Sequence, residues 1–204
     1  VAPVPSILRG FVRCLRCNQT SKMLHTAKAF DDNCEKSIGL ESCMNFPAPF
    51  RSSPMAVQDD WIDYNGHMNV AYYVVLFDRC IDEAFLHLGL GPDYVKNRNA
   101  SFFTVEIHVN YIRELPPESP VYCTFQLLAY DQKRVRAWLE LFHAEEGYLS
   151  ASCEQLFLHV DMAARRTAPF PEDIMDNLRD AQAAHAVLPR PERAGRAITF
   201  GDPA

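Results

Sequence analysis

The sequence predicts an α+β domain in which an antiparallel β-sheet curls around one long apolar helix. Three observations support this prediction. Apolar residues recur at helical spacing from about Asn69 to Leu88, directly after a short polar turn. From about residue 103 the hydrophobic period changes to two, and it keeps this period through four segments separated by turn sequences. Residues 171–188 then form a second amphipathic helix.

The composition of the 204-residue chain is that of an ordinary globular protein, with 48% hydrophobic and 23% charged residues. Its net charge of −6 argues against nucleic-acid binding, because phosphate backbones are bound by basic surfaces. No apolar run approaches the roughly 20 residues needed to span a bilayer, so we expect no membrane partner. Seven cysteines without regular spacing favour reduced thiols, and hence a cytoplasmic protein, over a disulfide framework.

The chain divides into three predicted parts. Residues 1–45 form a cysteine-containing extension without sustained hydrophobic periodicity, which we expect to be poorly ordered. Residues 46–165 carry the helix and the strands and form the main domain. Residues 166–204 form a C-terminal helix and tail.

The extension contains one pair of cysteines at metal-binding spacing. Cys14 and Cys17 are separated by two residues, as in many zinc sites, but Cys34 and Cys43 are separated by eight. Because the second pair lacks the usual spacing, a zinc site is the less favoured alternative and we predict no metal.

The long helix has clear start and stop signals. Asn69 is a suitable N-cap, and Gly89 and the Gly91-Pro92 pair end the helix. Its first half is apolar on nearly all sides, which predicts a helix that is buried on most sides. The apolar positions at helical spacing are Val70, Tyr73, Val74, Phe77, Ile81, Ala84, Phe85 and Leu88.

The four segments of period two are predicted strands. A shorter strand is predicted from Met55 to Trp61, before the helix. Short turns between the four segments predict an antiparallel meander in which consecutive strands pair. The first strand has one apolar face, formed by Phe103, Val105, Ile107, Val109 and Tyr111. The strands cover about residues 103–111, 121–130, 134–143 and 148–160.

A sheet of this size has one apolar face to cover, and the long helix is the only element able to cover it. The sheet must therefore wrap around this central helix, which is the hotdog architecture. The amphipathic segment 171–188 is added as a C-terminal surface helix.

The turn before the helix carries the most specific motif. Asp63-Tyr64-Asn65-Gly66-His67-Met68-Asn69 is similar to the Asp-x-x-Gly-His-Val-Asn and Asp-x-Asn-x-His-Val-Asn motifs of hotdog thioesterases of the 4-hydroxybenzoyl-CoA thioesterase type. Val109-Asn110-Tyr111-Ile112-Arg113 is a second similar segment, and the resemblance covers roughly residues 55–165. The family's usual Gly-Asp turn is replaced by Pro117-Glu118-Ser119-Pro120. Within the family, the motif looks closest to thioesterases of carnitine breakdown that cleave betainyl-CoA.

The resemblance implies an acyl-CoA thioesterase that releases a free acid and CoA and needs no cofactor beyond the CoA of its substrate. Asp63 would act as a nucleophile or as the base for water, and the sequence leaves both routes open. Backbone N–H groups around Gly66 and His67, near the helix start, would stabilise the oxyanion. The side chains of Asn65 and His67 would orient the attacking group.

Six further residues are predicted to bind substrate. Glu106 and His108 share the polar face of the first strand, which in this fold often contributes to a site across a dimer interface. Arg165 and Arg166 are candidates for the phosphates of CoA. Simpler roles stay open for all six. Asn69 can be only a helix cap and Trp61 only a core ring. Glu106 and His108 can lie on a solvated sheet face, and the two arginines can be surface charges. The six are Asn69, Trp61, Glu106, His108, Arg165 and Arg166.

A single sheet of this kind leaves an edge strand unpaired, so we expect a homodimer or a tetramer. Two other functions remain open. Hydratases and dehydratases of the same fold use Asp-x-Asn-Pro-x-His, which is one residue longer than the segment 63–67 and contains a proline that this segment lacks. The other is a non-catalytic acyl-CoA-binding or dimerisation module.

Overall fold

The computed structural model describes residues 46–198, so the predicted extension 1–45 with its cysteine pairs lies outside the described residues. The helices are α1 (Val70–His87), α2 (Pro92–Arg98) and α3 (Glu172–His185). The strands are β1 (Phe50–Arg51), β2 (Met55–Ala56), β3 (Ala100–Tyr111), β4 (Pro120–Tyr130), β5 (Arg134–His143), β6 (Leu149–Asp161) and β7 (Arg166–Thr167). Among the helices of this part of the chain, none is long and apolar enough to cross a bilayer.

The predicted long helix is confirmed as α1, and the predicted amphipathic helix as α3. Asn69 is the N-cap of α1, because its side-chain oxygen accepts a hydrogen bond from the Ala71 N–H at 3.0 Å. The single strand predicted from Met55 to Trp61 is wrong. Of this segment only β2 is a strand, and Asp59–Trp61 forms a 3-10 turn in which the Trp61 ring is buried in the core. Helix α2 was not predicted.

The strands form one sheet with the order β1-β4-β5-β6-β3, in which β2 also pairs with β4 and β7 with β6. The predicted meander is confirmed for β4, β5 and β6. It is wrong for β3, which pairs antiparallel with β6 instead of β4. The connecting residues 112–119 run along the end of the sheet, where the N–H groups of Ile112 and Arg113 both donate to the Ser150 carbonyl. This route leaves β3 at the edge of the sheet.

Helix α1 packs against β4 and β5 and supplies the centre of the core. The ring of Phe85 lies 4.3 Å from that of Phe102, 5.0 Å from Phe157 and 6.0 Å from Phe125, measured between centroids. Burying an aromatic ring of this size contributes roughly 1.5–3 kcal/mol to the stability of the fold. The C-terminal half of α1 is therefore anchored firmly, and the predicted packing of the sheet on this helix is confirmed.

The start of α1 is more exposed than its sequence predicts. Val70 is 59% exposed and Val75 is 36% exposed in the single chain. The prediction that the first half is buried on most sides is therefore wrong for one chain. Apolar surface is left uncovered beside the turn that precedes the helix.

Strand β3 departs from the predicted alternation because a bulge follows Thr104. The extra residue shifts the alternation by one position, so that the apolar side chains no longer share one face. Phe102 before the bulge and Val109 after it pack against the core, and Tyr111 contacts the first turns of α1. Phe103, by contrast, is 40% exposed.

His185 joins three parts of the fold. Its Nδ1 accepts a hydrogen bond from the Leu127 N–H at 2.8 Å, and its Nε2–H donates to the Pro47 carbonyl at 2.9 Å. The imidazole is buried, and burial lowers its pKa from the ordinary value of 6.5. The ring is therefore held in the neutral form between α3, β4 and the segment that leads into β1.

We predict that this contact makes folding stability depend on pH. The unfolded chain binds a proton at His185 more readily than the folded chain, so the free energy of unfolding should fall as pH drops below about 6.5. Replacing the residue (His185→Gln) should reduce the loss of stability between pH 7.5 and pH 5, measured by urea denaturation. The variant His87→Gln, at an exposed position of α1, is the control and should keep the wild-type slope. Equal slopes for the wild type and His185→Gln would contradict the prediction.

Candidate active site

The turn before α1 is closed by backbone hydrogen bonds. The Gly66 N–H donates to the Asp63 carbonyl at 3.0 Å, and the Asp63 N–H donates to the His67 carbonyl at 3.1 Å. Gly66 has φ of +84°, and nothing lies within 4 Å of the position that a Cβ would occupy. Glycine is therefore required here by the backbone conformation and not by a lack of space.

Two further hydrogen bonds fix the base of the turn to the rest of the protein. The Asn69 N–H donates to the Trp61 carbonyl and the Met68 N–H to the Leu115 carbonyl, both at 2.9 Å. The Trp61 ring is 5% exposed and stacks on Tyr72 of α1, with centroids 5.0 Å apart and planes 7° apart. Trp61 supports the turn from inside, and its predicted contact with substrate stays a prediction.

The Asp63 carboxylate is half-buried and is held at one oxygen. Oδ1 accepts a hydrogen bond from the Asn65 N–H at 2.8 Å, whereas Oδ2 has only the Asn69 amide nitrogen at 3.5 Å. The same Asn69 caps α1 through its side-chain oxygen. Asn69 thus caps α1 with its side-chain oxygen and contacts the Asp63 carboxylate with its side-chain nitrogen. The Asn65 contact comes from the backbone and not from its side chain.

The predicted oxyanion donors differ in availability. The Gly66 N–H is already used inside the turn, whereas within residues 46–198 the N–H groups of His67 and Val70 have no acceptor. Val70, which was not among the predicted donors, belongs to the positive end of the α1 dipole, where a developing negative charge is stabilised. The His67 N–H lies in the turn that precedes the helix. The His67 imidazole is half-buried, with Nδ1 3.3 Å from the Met68 carbonyl oxygen.

A groove of about 290 Å³ lies between the start of α1 and the end of β3. His67 is one wall, while Asp63 itself is not among the lining residues. The Tyr111 hydroxyl reaches across to the Val70 carbonyl at 3.3 Å, so the groove is bounded by both elements. The lining residues are His67, Met68, Val70, Tyr73, Tyr111, Ile112, Arg113 and Glu114.

Sequence analysis missed Tyr73, Tyr111 and Glu114 as site candidates. The sequence signal of the two tyrosines is weak, because a tyrosine in an apolar helix or strand is usually interpreted as a core residue. Knowing that the end of β3 lies beside the start of α1 would have singled them out.

Glu106 and His108 lie elsewhere in the single chain, on the outer face of the sheet, which is the face away from α1. His108 is opposite Glu154 in the β3–β6 register, whereas the adjacent Cys153 is fully buried under the helix. The His108 Nε2 lies 3.2 Å from a Glu106 carboxylate oxygen. Together they line a cavity of about 320 Å³ that residues 195–197 of the tail help to enclose. One chain does not bring them to Asp63.

Arg165 and Arg166 are also distant from Asp63 within one chain. Arg166 pairs with Asp161, which is opposite Ala100 at the start of β3. Tyr111, beside the turn, is at the other end of the same strand. Twelve residues of strand span about 40 Å. These arginines therefore lie at the opposite end of the sheet.

A family comparison decides the class of protein. Residues 57–178 match the model of the thioesterase-like superfamily, which is more than half of the chain. The chain belongs to this superfamily. It is a thioesterase, a hydrolase that cleaves thioester bonds.

Two relatives share a name for the thioesterase part. The betainyl-CoA thioesterase of Pseudomonas aeruginosa is 36% identical over 145 residues, covering 70% of this chain and 89% of the relative. The L-carnitine dehydrogenase/betainyl-CoA thioesterase of Rhizobium meliloti is 33% identical over 164 residues, covering 80% of this chain but 33% of that protein. The thioesterase therefore spans nearly nine-tenths of the first relative and a third of the second.

Solved structures confirm the predicted hotdog fold. A Staphylococcus aureus protein solved in complex with CoA superposes with a TM-score of 0.69 at 26% identity, covering 74% of this chain and 95% of that one. A thioesterase-like protein from Pseudomonas putida KT2440 gives a TM-score of 0.65 at 31% identity, covering 76% and 98%.

We predict that two substitutions of Asn69 separate its structural and chemical roles. Asn69→Ala removes the cap and should cost about 1 kcal/mol of stability as well as activity. Asn69→Asp keeps a capping oxygen but puts a second carboxylate beside Asp63, which disfavours the ionised form of Asp63. Its stability should stay near that of the wild type, while the acid limb of the pH–activity profile moves to higher pH. Urea denaturation and thioesterase assays measure the two effects, and an unmoved acid limb would count against the orienting role.

Proposed function

We propose that this thioesterase hydrolyses acyl-CoA, with betainyl-CoA as its preferred substrate, and that Asp63 activates the attack. The observation that carries the proposal is the Asp63 carboxylate, which the Asn65 N–H holds at 2.8 Å in the same turn whose His67 N–H has no acceptor among the described residues. The names of the Pseudomonas aeruginosa and Rhizobium meliloti relatives support the choice of substrate.

Hydrolysis requires an attack on the thioester carbonyl carbon and stabilisation of the oxyanion that forms. In one route Asp63 takes a proton from water while the water oxygen adds to the carbonyl. In the other, a carboxylate oxygen adds directly and water then hydrolyses the anhydride. In both routes the carbon–sulfur bond breaks, CoA leaves as a thiolate and the acid is released. Oδ2 is the oxygen with the weaker contact and is the one available for either role.

The oxyanion would be received at the start of α1. The N–H groups of His67 and Val70 have no acceptor among the described residues, and the helix dipole adds a partial positive charge at Val70. Gly66 contributes through its positive φ, which sets the path of the turn, and not through its N–H. Losing one such donor typically costs on the order of 100-fold in rate.

We further propose that the thioesterase is a homodimer joined through β3. Within residues 46–198 one edge of β3 has no partner strand, and its exposed apolar side chains would be covered by a second copy. These side chains are Phe103, Val105 and Ile107, each at least 37% exposed.

A two-fold pair of β3 strands would also change what surrounds the groove. Antiparallel pairing aligns the start of one strand with the end of the other. Arg165 and Arg166 of the second copy would then approach the Tyr111 end of the first, within reach of the CoA phosphates. This arrangement reconciles the proposed role of the two arginines with their distance from Asp63 in one chain.

Two expectations from the sequence are retained as proposals. Hydrolysis should need no cofactor beyond the CoA of the substrate. A cytoplasmic location, where thiols stay reduced, is supported by the free and buried state of Cys80, Cys123 and Cys153.

The catalytic proposal is tested with Asp63→Asn. This change keeps the size of the side chain but removes the base or nucleophile, so kcat for thiol release from acyl-CoA should fall by about 100-fold or more. Asp60→Asn, at an exposed carboxylate three residues earlier, is the matched control and should keep the wild-type rate. A folded Asp63→Asn protein with an unchanged rate would rule out the mechanism. Binding of acyl-CoA without thiol release by the wild type would favour the non-catalytic module.

The dimer is tested with Val105→Lys. A lysine at this edge position would face its own copy, and the repulsion should weaken the dimer by about tenfold or more in dissociation constant. The dimer fraction is measured by analytical ultracentrifugation, and the rate of hydrolysis is measured over the same range of protein concentration. In the variant, both should fall together. Val187→Lys, at a residue that is 83% exposed after α3, is the control. Full activity in a monomeric Val105→Lys protein would contradict a site that needs both copies.

A further inference from the structure

The groove between α1 and β3 combines aromatic rings with a carboxylate. The rings of Tyr73 and Tyr111 meet at 85°, with centroids 5.0 Å apart. Tyr73 is 4% exposed and forms the floor, whereas Tyr111 is 49% exposed and offers its ring to a ligand. Two tyrosines at right angles present a π surface, which attracts cations more than it attracts neutral groups.

Glu114 adds a negative charge to the same groove. Among the described residues, no basic side chain lies within ion-pairing distance of its carboxylate. Its charge acts on the groove itself, because it adds to the effect of burial in raising the pKa of Tyr73. A bound cation would therefore meet an uncompensated carboxylate beside two aromatic rings.

The neighbouring cation does not cancel this charge. The guanidinium of Arg113 is hydrogen-bonded to Glu146 at 3.1 Å and lies 3.7 Å from the centroid of the Tyr148 ring. Both of its partners, Glu146 and Tyr148, belong to the turn between β5 and β6. An anionic acyl group in the groove would be repelled by Glu114, and a neutral one would gain nothing from that carboxylate.

We propose that this groove binds the acyl group, and that Tyr111 and Glu114 select acyl groups carrying a permanent positive charge, that is, a quaternary ammonium. The inference rests on the proposed thioesterase function and assigns substrate selection to residues outside the 63–69 turn. His67 connects the groove to the 63–69 turn, since it lines the groove and belongs to the turn that holds Asp63. The thioester carbonyl would thus lie at the turn while the cationic head lies against Tyr111.

The test compares two substrates of the same shape. In 3,3-dimethylbutanoyl-CoA a neutral tert-butyl group replaces the trimethylammonium group of betainyl-CoA. The measured quantity is the ratio of kcat/KM for the charged substrate to that for the neutral one. The intrinsic reactivities of the two thioesters differ, but this difference cancels when variants are compared with the wild type.

We expect Tyr111→Leu to lower this ratio by about 3- to 10-fold, because the ring is lost, and Tyr111→Phe to preserve most of it. Glu114→Gln should lower the ratio at low ionic strength and have less effect in 0.5 M salt, since exposed charges are screened. Glu145→Gln, which removes an exposed carboxylate from the β5–β6 turn, is the matched control and should leave the ratio unchanged.

Equal losses for both substrates in Tyr111→Leu and Glu114→Gln would overturn the proposal while leaving the thioesterase function intact. Hydrolysis of neutral acyl-CoA without hydrolysis of betainyl-CoA would also overturn it. If no acyl-CoA is hydrolysed, the proposed function fails, and the groove is then tested by calorimetric binding of the two thioesters. Equal changes in the two affinities on Glu114→Gln would overturn the groove assignment in that case too.

Discussion

The hydrogen bond from the Asn69 N–H to the Trp61 carbonyl closes the base of the turn on which the rest of the site depends. With the hydrogen bonds inside the turn, it limits the positions that the Asp63 carboxylate can adopt. The bond joins residues eight apart, and the Met68 N–H ties the same base to Leu115. Each such bond contributes only about 1 kcal/mol, but together they fix the direction in which the turn points.

Structural and chemical roles coincide in this turn. Asn69 caps α1 and also contacts Asp63, while Trp61 supplies both the accepting carbonyl and a ring that stacks on the helix. Such sharing positions the carboxylate more precisely, because the groups that hold it are themselves held by the core. The capping role of Asn69 is therefore compatible with its contact to the Asp63 carboxylate.

The position of β3 at the sheet edge links the fold to the site. Because β3 pairs with β6, its last residue reaches the start of α1, and Tyr111 becomes a wall of the groove. The same position leaves its outer edge open, with a bulge after Thr104 and exposed apolar side chains. The strand that completes the groove in one chain is thus also the strand best suited to meet a second chain.

The sequence by itself determined the elements and the turn, because hydrophobic period, caps and glycine positions are local properties. It identified α1, the strands β4 to β6, α3 and the segment 63–69 with Asn69 as cap. Only the tertiary structure decided that β3 pairs with β6, that its alternation shifts at a bulge, and that Tyr111 and Glu114 meet the start of α1. Strand partners and groove walls depend on contacts between residues distant in the chain, and no local pattern encodes which distant residue completes a contact.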